Sequence, residues 1–322
     1  MLTSVEIQNF RCFRHVKVPM RPLTILIGAN DTGKSCFLEA LAYFRGGSLA
    51  PIGDLTLLKV HDRWRSQQEL EVRAIGQLDN ATVQWWCPPG NSYVVWDSPE
   101  AIGPISLFRL SAHGIPAQSE GHPDLSGPPP IGFNGSMIPS LLDDFLRRDR
   151  SRFFEFVRSM QDLVPGLQDI DIRTPTPPTR RVDFLVERGL SLPGDATSTG
   201  VRLMLFFVAL AYHPTPPKLI LLEEPENGVH PRRLADIVRL LREITQGKHG
   251  NHAAQIVLTT HSPYLLDFVD LEQDQVLVFR REDDGSRTAE PADRERLKNY
   301  LDEFMLGEVW FNEGEAGLVG RR

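Results

Sequence analysis

Three cysteines in 322 residues, Cys12, Cys36 and Cys87, share no CxxC spacing, so the chain offers neither a disulfide framework nor a zinc site. That scarcity fits a reducing cytosol. Long apolar runs are also missing. The longest, residues 203–212, is far too short for a bilayer, and no membrane span is expected. The opening MLTSVEIQNFRCF holds no apolar h-region, so no secretory signal is expected and a cytoplasmic location is. Excess positive charge is absent: the formal net charge is −7, which gives no global pull toward nucleic acid. Basic clusters at Arg147-Arg148, Arg180-Arg181, Arg232-Arg233 and Arg280-Arg281 each read first as a solvated face. No heptad run and no internal repeat occurs, which excludes a coiled-coil arm. What remains is an ordinary globular composition, 41% hydrophobic and 24% charged, enough for one large or two small domains.

Against those absences stands one stretch, residues 23–41, LTILIGANDTGKSCFLEAL. Leu23, Ile25 and Ile27 belong to a short apolar run that predicts a buried strand. Gly28-Ala29-Asn30-Asp31-Thr32-Gly33-Lys34-Ser35 follows, a full G-x-x-x-x-G-K-S, and residues 36–41, beginning at Cys36, predict a helix. Gly28 and Gly33 permit backbone conformations that a side chain would block, so successive N–H groups can face a phosphate. The helix start adds unpaired donors and a positive dipole end. Lys34 would set a charge on the β- and γ-phosphates, and the Ser35 hydroxyl would ligate Mg²⁺. Between a strand and a helix this pattern predicts a nucleotide site.

Residues 5–8 and 15–18 read as strands ahead of that loop. Residues 70–75, 82–86 and 93–96, broken at Asp79-Asn80 and at Pro88-Pro89-Gly90-Asn91, predict an antiparallel meander after a break at Gly46-Gly47. Trp64, Trp85, Trp86 and Trp96 lie in this region; stacking on bases is one use for them, and packing a sheet face is the other. Residues 113–136 are a long Pro/Gly/Ser loop. Helices are expected over 138–147 and 152–163, and strands over 169–173 and 181–187. An apolar helix opens at Gly200 and spans 201–212. Residues 218–222 are then a buried strand delivering Glu223 and Glu224, a helix spans 232–245, and residues 255–260 are a strand ending at His261.

Strand, helix and strand in this rhythm predict a parallel sheet wound by helices, with ligands beyond the carboxyl ends of the strands. Lys34, Glu224 and His261 each sit just past such an end. Glu223 would hold Mg²⁺ or its water, and Glu224 would polarise the water that attacks the γ-phosphate. His261 would touch the γ-phosphate; its bland alternative is helix capping with Ser262.

The segments NFRCF, GANDTGKS, STGVR, LILLEEPENGVHP and LTTHSPYLLD follow in that order across nearly the whole chain. Together they resemble the ABC-type ATPases of the RecF/SMC and OLD (overcoming lysogenization defect) group, and the set is specific. The resemblance implies an α/β P-loop NTPase head with a mostly parallel core sheet, an N-terminal antiparallel β subdomain and a small helical insert. One head is expected over 1–322: N-terminal strands, phosphate loop and first helix (1–50), a β-rich subdomain (51–112), a loop with the helical insert (113–180), and a final lobe (181–322). It also implies a homodimer that sandwiches two ATP molecules. Ser198 and Gly200 would occupy the signature serine and second glycine positions, reaching the partner's γ-phosphate, and Arg11 of NFRCF would lie near the nucleotide.

Departures from the group are visible. Glu223 replaces the usual Asp, Thr197 the signature leucine and His230 the D-loop aspartate, while Arg202 is slightly displaced. Gln118 is the one option for a Q-loop glutamine, inside the loose loop. OLD-type nucleases carry a TOPRIM domain after the ATPase. Here 61 residues follow His261, enough for a strand, a helix and a tail, so nuclease activity is expected of a separate partner. Three readings stand. The first is an ATPase that drives or licenses an effector on DNA, in repair or phage defence. The second is a nucleotide-gated module that hydrolyses slowly, which Glu223 keeps open. The third is a transporter subunit, opposed by EEPENG in place of DEPT and by the lack of LSGGQ. DNA-dependence of ATP turnover separates the first two, and a nuclease-like co-purifying protein separates the first from the third.

Overall fold

The computed structural model describes residues 1–45, 71–88, 94–110, 115–121, 127–249, 252–301 and 303–320. Within them the chain forms two compact units: Met1–Leu107, Pro217–Pro225 and Ala254–Arg322 make the first, and Phe108–Pro216 with Glu226–Ala253 the second. Along the first unit come β1 (Leu2–Phe10), β2 (Phe13–Pro19), β3 (Leu23–Ile27), α1 (Lys34–Ala42), β4 (Val72–Leu78), β5 (Thr82–Cys87) and β6 (Val95–Asp97). After β7 (Ile105–Arg109), the second unit brings β8 (Gln118–Glu120), α2 (Ile138–Arg148), α3 (Arg150–Leu163), β9 (Leu167–Arg173), β10 (Thr179–Val186), β11 (Leu190–Pro193) and α4 (Thr199–Tyr212). The chain returns to the first unit for β12 (Leu219–Glu223), leaves it for α5 (Leu234–Gln246), and re-enters at β13 (Gln255–Thr259). It closes with α6 (Pro263–Leu266), β14 (Gln275–Arg281), β15 (Arg287–Pro291), α7 (Arg294–Leu301) and α8 (Leu306–Leu318).

Alternation builds the outer sheet of the first unit. Val5, Ile7, Val16 and Val18 are buried, while on the opposite face Glu6 lies across from Lys17 and pairs with it at 3.2 Å. β1 also pairs with β4, giving the antiparallel order β2-β1-β4-β5-β6. The tryptophans serve packing here. Trp85 is fully buried, its indole donates to the Ala40 carbonyl at 3.0 Å, and its ring meets Phe10 edge-on at 5.4 Å; the Trp96 indole donates to the Tyr43 carbonyl at 2.8 Å. The Gly46-Gly47 break, Trp64, Leu70, Tyr93 and the Pro89-Gly90-Asn91 turn lie outside the described residues.

The central sheet runs β15-β14-β3-β13-β12-β7. β14, β3, β13 and β12 are mutually parallel, and β15 is antiparallel to β14. Strands such as Leu23–Ile27 and Gln255–Thr259 are buried along their length, as a sheet covered on both faces requires. One hydrophobic core joins Ile7, Phe10 and Trp85 of the outer sheet, Phe37, Leu38 and Leu41 of α1, and Leu26, Leu221, Val257 and Phe279 of the central sheet. Helix α1 therefore starts at the phosphate loop and is anchored between two sheets.

In the second unit, Ile138, Leu141, Leu142 and Phe145 repeat at helical spacing and form the buried face of α2. Asp149 caps α3 by accepting from the Arg152 amide at 3.1 Å. Helix α4 is buried continuously from Leu203 to Tyr212, an apolar run. Two expectations need correction. Residues 113–136 are not simply loop: Gln118 belongs to β8, opposite Arg181 on β10, because the edge of that sheet needs a partner for its amides. And among the described residues beyond His261 lie two strands and three helices, not one of each.

Candidate nucleotide site

Strand β3 ends at Gly28, whose φ of +141° suits glycine alone; a Cβ there would sit 2.2 Å from the Phe279 carbonyl oxygen of β14. Asp31 takes a φ of +61° and Gly33 one of +102°, so the chain curls back before α1 begins. Gly33 is the N-cap of α1 and supplies no side-chain cap, which leaves the first amides of the helix available to an anion. Inside the curl, Thr32 Oγ1 donates to the Ala29 carbonyl at 2.8 Å. Lys34 is 6% exposed, and its ammonium donates to the carbonyls of Gly28 at 2.8 Å and Ala29 at 2.9 Å. Ala29, Asn30, Asp31 and Ser35 face outward.

The parallel register carries the other strands to the same edge. Glu223 lies opposite Thr259, and Thr259 opposite Leu26. The Ser35 hydroxyl donates to Glu223 Oε1 in a short hydrogen bond. Glu224 follows with φ +46°, a left-handed value for a residue with a side chain, and its amide donates to Thr259 Oγ1 at 3.1 Å. His261 Nε2 stands 3.5 Å from Glu224 Oε1. Burial lowers the His261 imidazole below its usual 6.5, the Lys34 charge adds to that effect, and Glu224 opposes it. Ser262 is the N-cap position of α6 and makes no side-chain cap hydrogen bond.

Thus the structure gathers Lys34, Ser35, Glu223, Glu224 and His261, residues that the sequence had placed at the ends of separate apolar runs. Other predicted positions have contacts of their own. Arg11, at φ +48°, forms an ion pair with Glu39 of α1 and sits over the Phe10 ring. Cys36 hydrogen-bonds to Cys12; that bond and the Arg11 guanidinium lower the Cys36 thiol to about 7 despite burial, while the same bond and burial push Cys12 up. Ser198 and Gly200 belong to the second unit: Ser198 caps α4 by accepting from the Val201 amide at 3.4 Å, and Gly200 is in its first turn. His230 caps the short helical turn before α5. Two residues of this edge escaped the sequence reading. Thr259 looked like one more strand residue, and Arg287, which grips Asp31, lies 256 positions away from it.

A glycine-bent loop between a buried strand and a helix, with carboxylates at the ends of adjacent parallel strands, defines a P-loop nucleotide hydrolase. The chain belongs to the family described as "AAA domain, putative AbiEii toxin, Type IV TA system", which matches residues 85–267; residues 1–74 match "AAA ATPase domain". It is an ATPase of the RecF/SMC/OLD-like kind. An OLD nuclease of Thermus scotoductus is 22% identical over 387 aligned positions, covering 95% of this chain and 68% of that protein. An ATP/GTP phosphatase of Helicobacter pylori is 38% identical over 68 residues, 21% of this chain and 18% of that protein. The crystal structure of an Smc head bound to the C-winged helix domain of ScpA superimposes with a TM-score of 0.63 at 14% identity, covering 91% of this chain and 98% of that one. Among the described residues no helix is long and apolar enough to cross a membrane.

Proposed function

We propose that the chain hydrolyses Mg-ATP at the edge formed by β3, β12 and β13, and that two copies close on two ATP molecules to drive or license an effector that acts on DNA. The carrying observation is the convergence of Lys34, the Ser35–Glu223 hydrogen bond and the Glu224–His261 pair on one sheet edge. In this reading the amides of the loop and of the start of α1 bind phosphate oxygens, and Lys34 supplies the charge on the β- and γ-phosphates. Gly28 and Gly33 let the loop bend, and Asn30, Asp31, Thr32 and Cys36 complete it.

A hydroxyl and a carboxylate already in contact are a hard-oxygen pair suited to Mg²⁺. No group of three or more His, Cys, Asp or Glu among the described residues could hold a metal, so phosphate oxygens and water would complete the shell, as Mg²⁺ usually has it. Bound there, Mg²⁺ would offset phosphate charge. Glu224 orients the attacking water and accepts its proton. His261, uncharged at neutral pH, hydrogen-bonds toward the γ-phosphate.

The dimer part rests on the resemblance, with Ser198 and Gly200 reaching the ATP of the other copy from the start of α4. The effector part rests on relatives: one solved neighbour is bound to a domain of ScpA, and one aligned relative is called a nuclease. Steady-state ATP turnover with and without DNA tests the reading. Turnover that rises with DNA and vanishes in Glu224→Gln supports it; turnover that ignores both opposes it. Glu223 favours one second reading. Its longer side chain reaches Ser35 directly, which suits a module that holds ATP and hydrolyses it slowly. Single-turnover measurement with bound ATP separates the two.

A further inference from the structure

The hairpin of β14 and β15 reaches the crest of the phosphate loop through Arg287. Arg287 donates from Nε to the Asp31 carbonyl at 3.0 Å and from Nη2 to Asp31 Oδ2 at 2.6 Å, and its Nη1 donates to the Gly285 carbonyl. Every nitrogen of the guanidinium is engaged, and the side chain is 14% exposed although Asp31 is 76% exposed. The turn that carries Arg287 is itself braced: Asp284 accepts from the Ser286 amide at 2.9 Å and from its hydroxyl at 2.6 Å. The grip therefore comes from a fixed fork and not from a mobile chain.

Asp31 is the loop residue that most needs holding. Its φ of +61° is a left-handed conformation that residues other than glycine adopt at a cost. Holding both its carbonyl and its carboxylate fixes the peptide that follows. Because that peptide is planar and trans, a pinned Asp31 carbonyl sends the Thr32 amide the opposite way. The Asp31 carboxylate is also balanced, by Arg287 and by Arg281 at 3.9 Å, so it does not oppose an approaching triphosphate uncompensated.

We propose that Arg287 is a positioning residue for ATP: by clamping Asp31 it keeps the phosphate loop in its binding shape before the nucleotide arrives. This rests on the nucleotide-site reading above. Arg287 does its work through Asp31 and takes no part in the chemistry, so its loss raises the dissociation constant and leaves kcat in place.

The test is ATP affinity by calorimetry, with turnover, for Arg287→Ala, Arg287→Lys, Asp31→Ala, Asp31→Asn and Arg287→Ala/Asp31→Ala in the full chain, and Lys34→Ala as control. Arg287→Ala is expected to bind ATP about tenfold more weakly, with kcat within about twofold of wild type. Arg287→Lys is expected to match it, because a point-like ammonium on a flexible stem cannot reproduce the planar fork that holds the Asp31 carbonyl and carboxylate from two nitrogens. Asp31→Asn, which keeps an oxygen acceptor and tolerates the left-handed region, is expected to bind ATP more tightly than Asp31→Ala. In the Asp31→Ala background, loss of Arg287 has no further effect beyond about twofold. The proposal is overturned if Arg287→Ala binds normally, if Arg287→Lys restores affinity, or if the loss is equally large without Asp31, which would mean direct contact with ATP or simple attraction. Normal ATP binding by Lys34→Ala would instead overturn the nucleotide site itself.

Discussion

His261 Nε2 lies 3.5 Å from Glu224 Oε1, and both sit just beyond the ends of neighbouring parallel strands. The imidazole is lowered from its usual value, first by burial and then by Lys34. A lowered folded value means that the unfolded chain takes up the proton first as pH falls. This group therefore costs no stability above pH about 6.5 and progressively more below it. For activity, the neutral ring persists at pH 7, so the acid limb of kcat/KM is expected below 6.5 in wild type and absent in His261→Gln. A limb at or above 6.5, or one that His261→Gln retains, would remove His261 from the site.

Thr259 holds Glu224 in its left-handed conformation through the 3.1 Å bond to the Glu224 amide. Thr259→Val keeps the buried shape and loses the acceptor. We expect kcat to fall on the order of 10- to 100-fold, since a small displacement of a catalytic group is costly. Thr259→Ser should recover most of it, and ATP affinity should move little in either. Equal kcat in Thr259→Val and wild type would show that Glu224 needs no such support.

Lys34→Ala removes the ammonium at the loop mouth. Losing a charge-assisted hydrogen bond of about 1.5–3 kcal/mol corresponds to ATP binding weaker by about tenfold or more. Circular dichroism should be unchanged, because the hydrogen bonds of the Lys34 ammonium to Gly28 and Ala29 stay within one loop. Unchanged ATP affinity by calorimetry would refute the assignment.

Much of this edge was legible because each candidate residue follows a short apolar run. Leu23–Ile27 announces Gly28 and Lys34, Leu219–Glu223 announces Glu224, and Gln255–Thr259 announces His261. What a linear reading does not contain is strand order. β3 lies between β13 and β14, strands that come some 230 positions or more after it, and β1 pairs with β4 although β2, β3 and α1 come between them in the chain. Thr259 was hidden by its position in a buried strand, where threonine usually means β-propensity. Arg287 and Asp31 carry no local signal of each other, and only the β14–β15 hairpin brings them together. β8 was hidden because three polar residues in a proline-rich stretch have no alternation to read.

If Ser198 and Gly200 complete the ATP site of a second copy, ATP must favour association, since a ligand that binds the dimer better shifts the equilibrium toward it. Glu224→Gln with Mg-ATP should sediment as a dimer, and Ser198→Arg added to it should return the monomer with ATP affinity within about threefold. The α8 end of the chain, where Phe311 is 80% exposed, is a possible masking contact, so the pair is repeated after truncation before Leu306. The same mass with and without ATP in all four proteins would contradict the head-to-head arrangement.

The central claim is that Glu224 is the base of an ATP site whose binding is built by other residues. Its most direct test measures ATP affinity and turnover in Glu224→Gln beside Glu226→Gln. The account predicts that Glu224→Gln binds ATP as wild type does and hydrolyses it about 10²- to 10⁴-fold more slowly, while Glu226→Gln turns over normally. Wild-type turnover by Glu224→Gln, above all with turnover lost in Glu226→Gln, would contradict it.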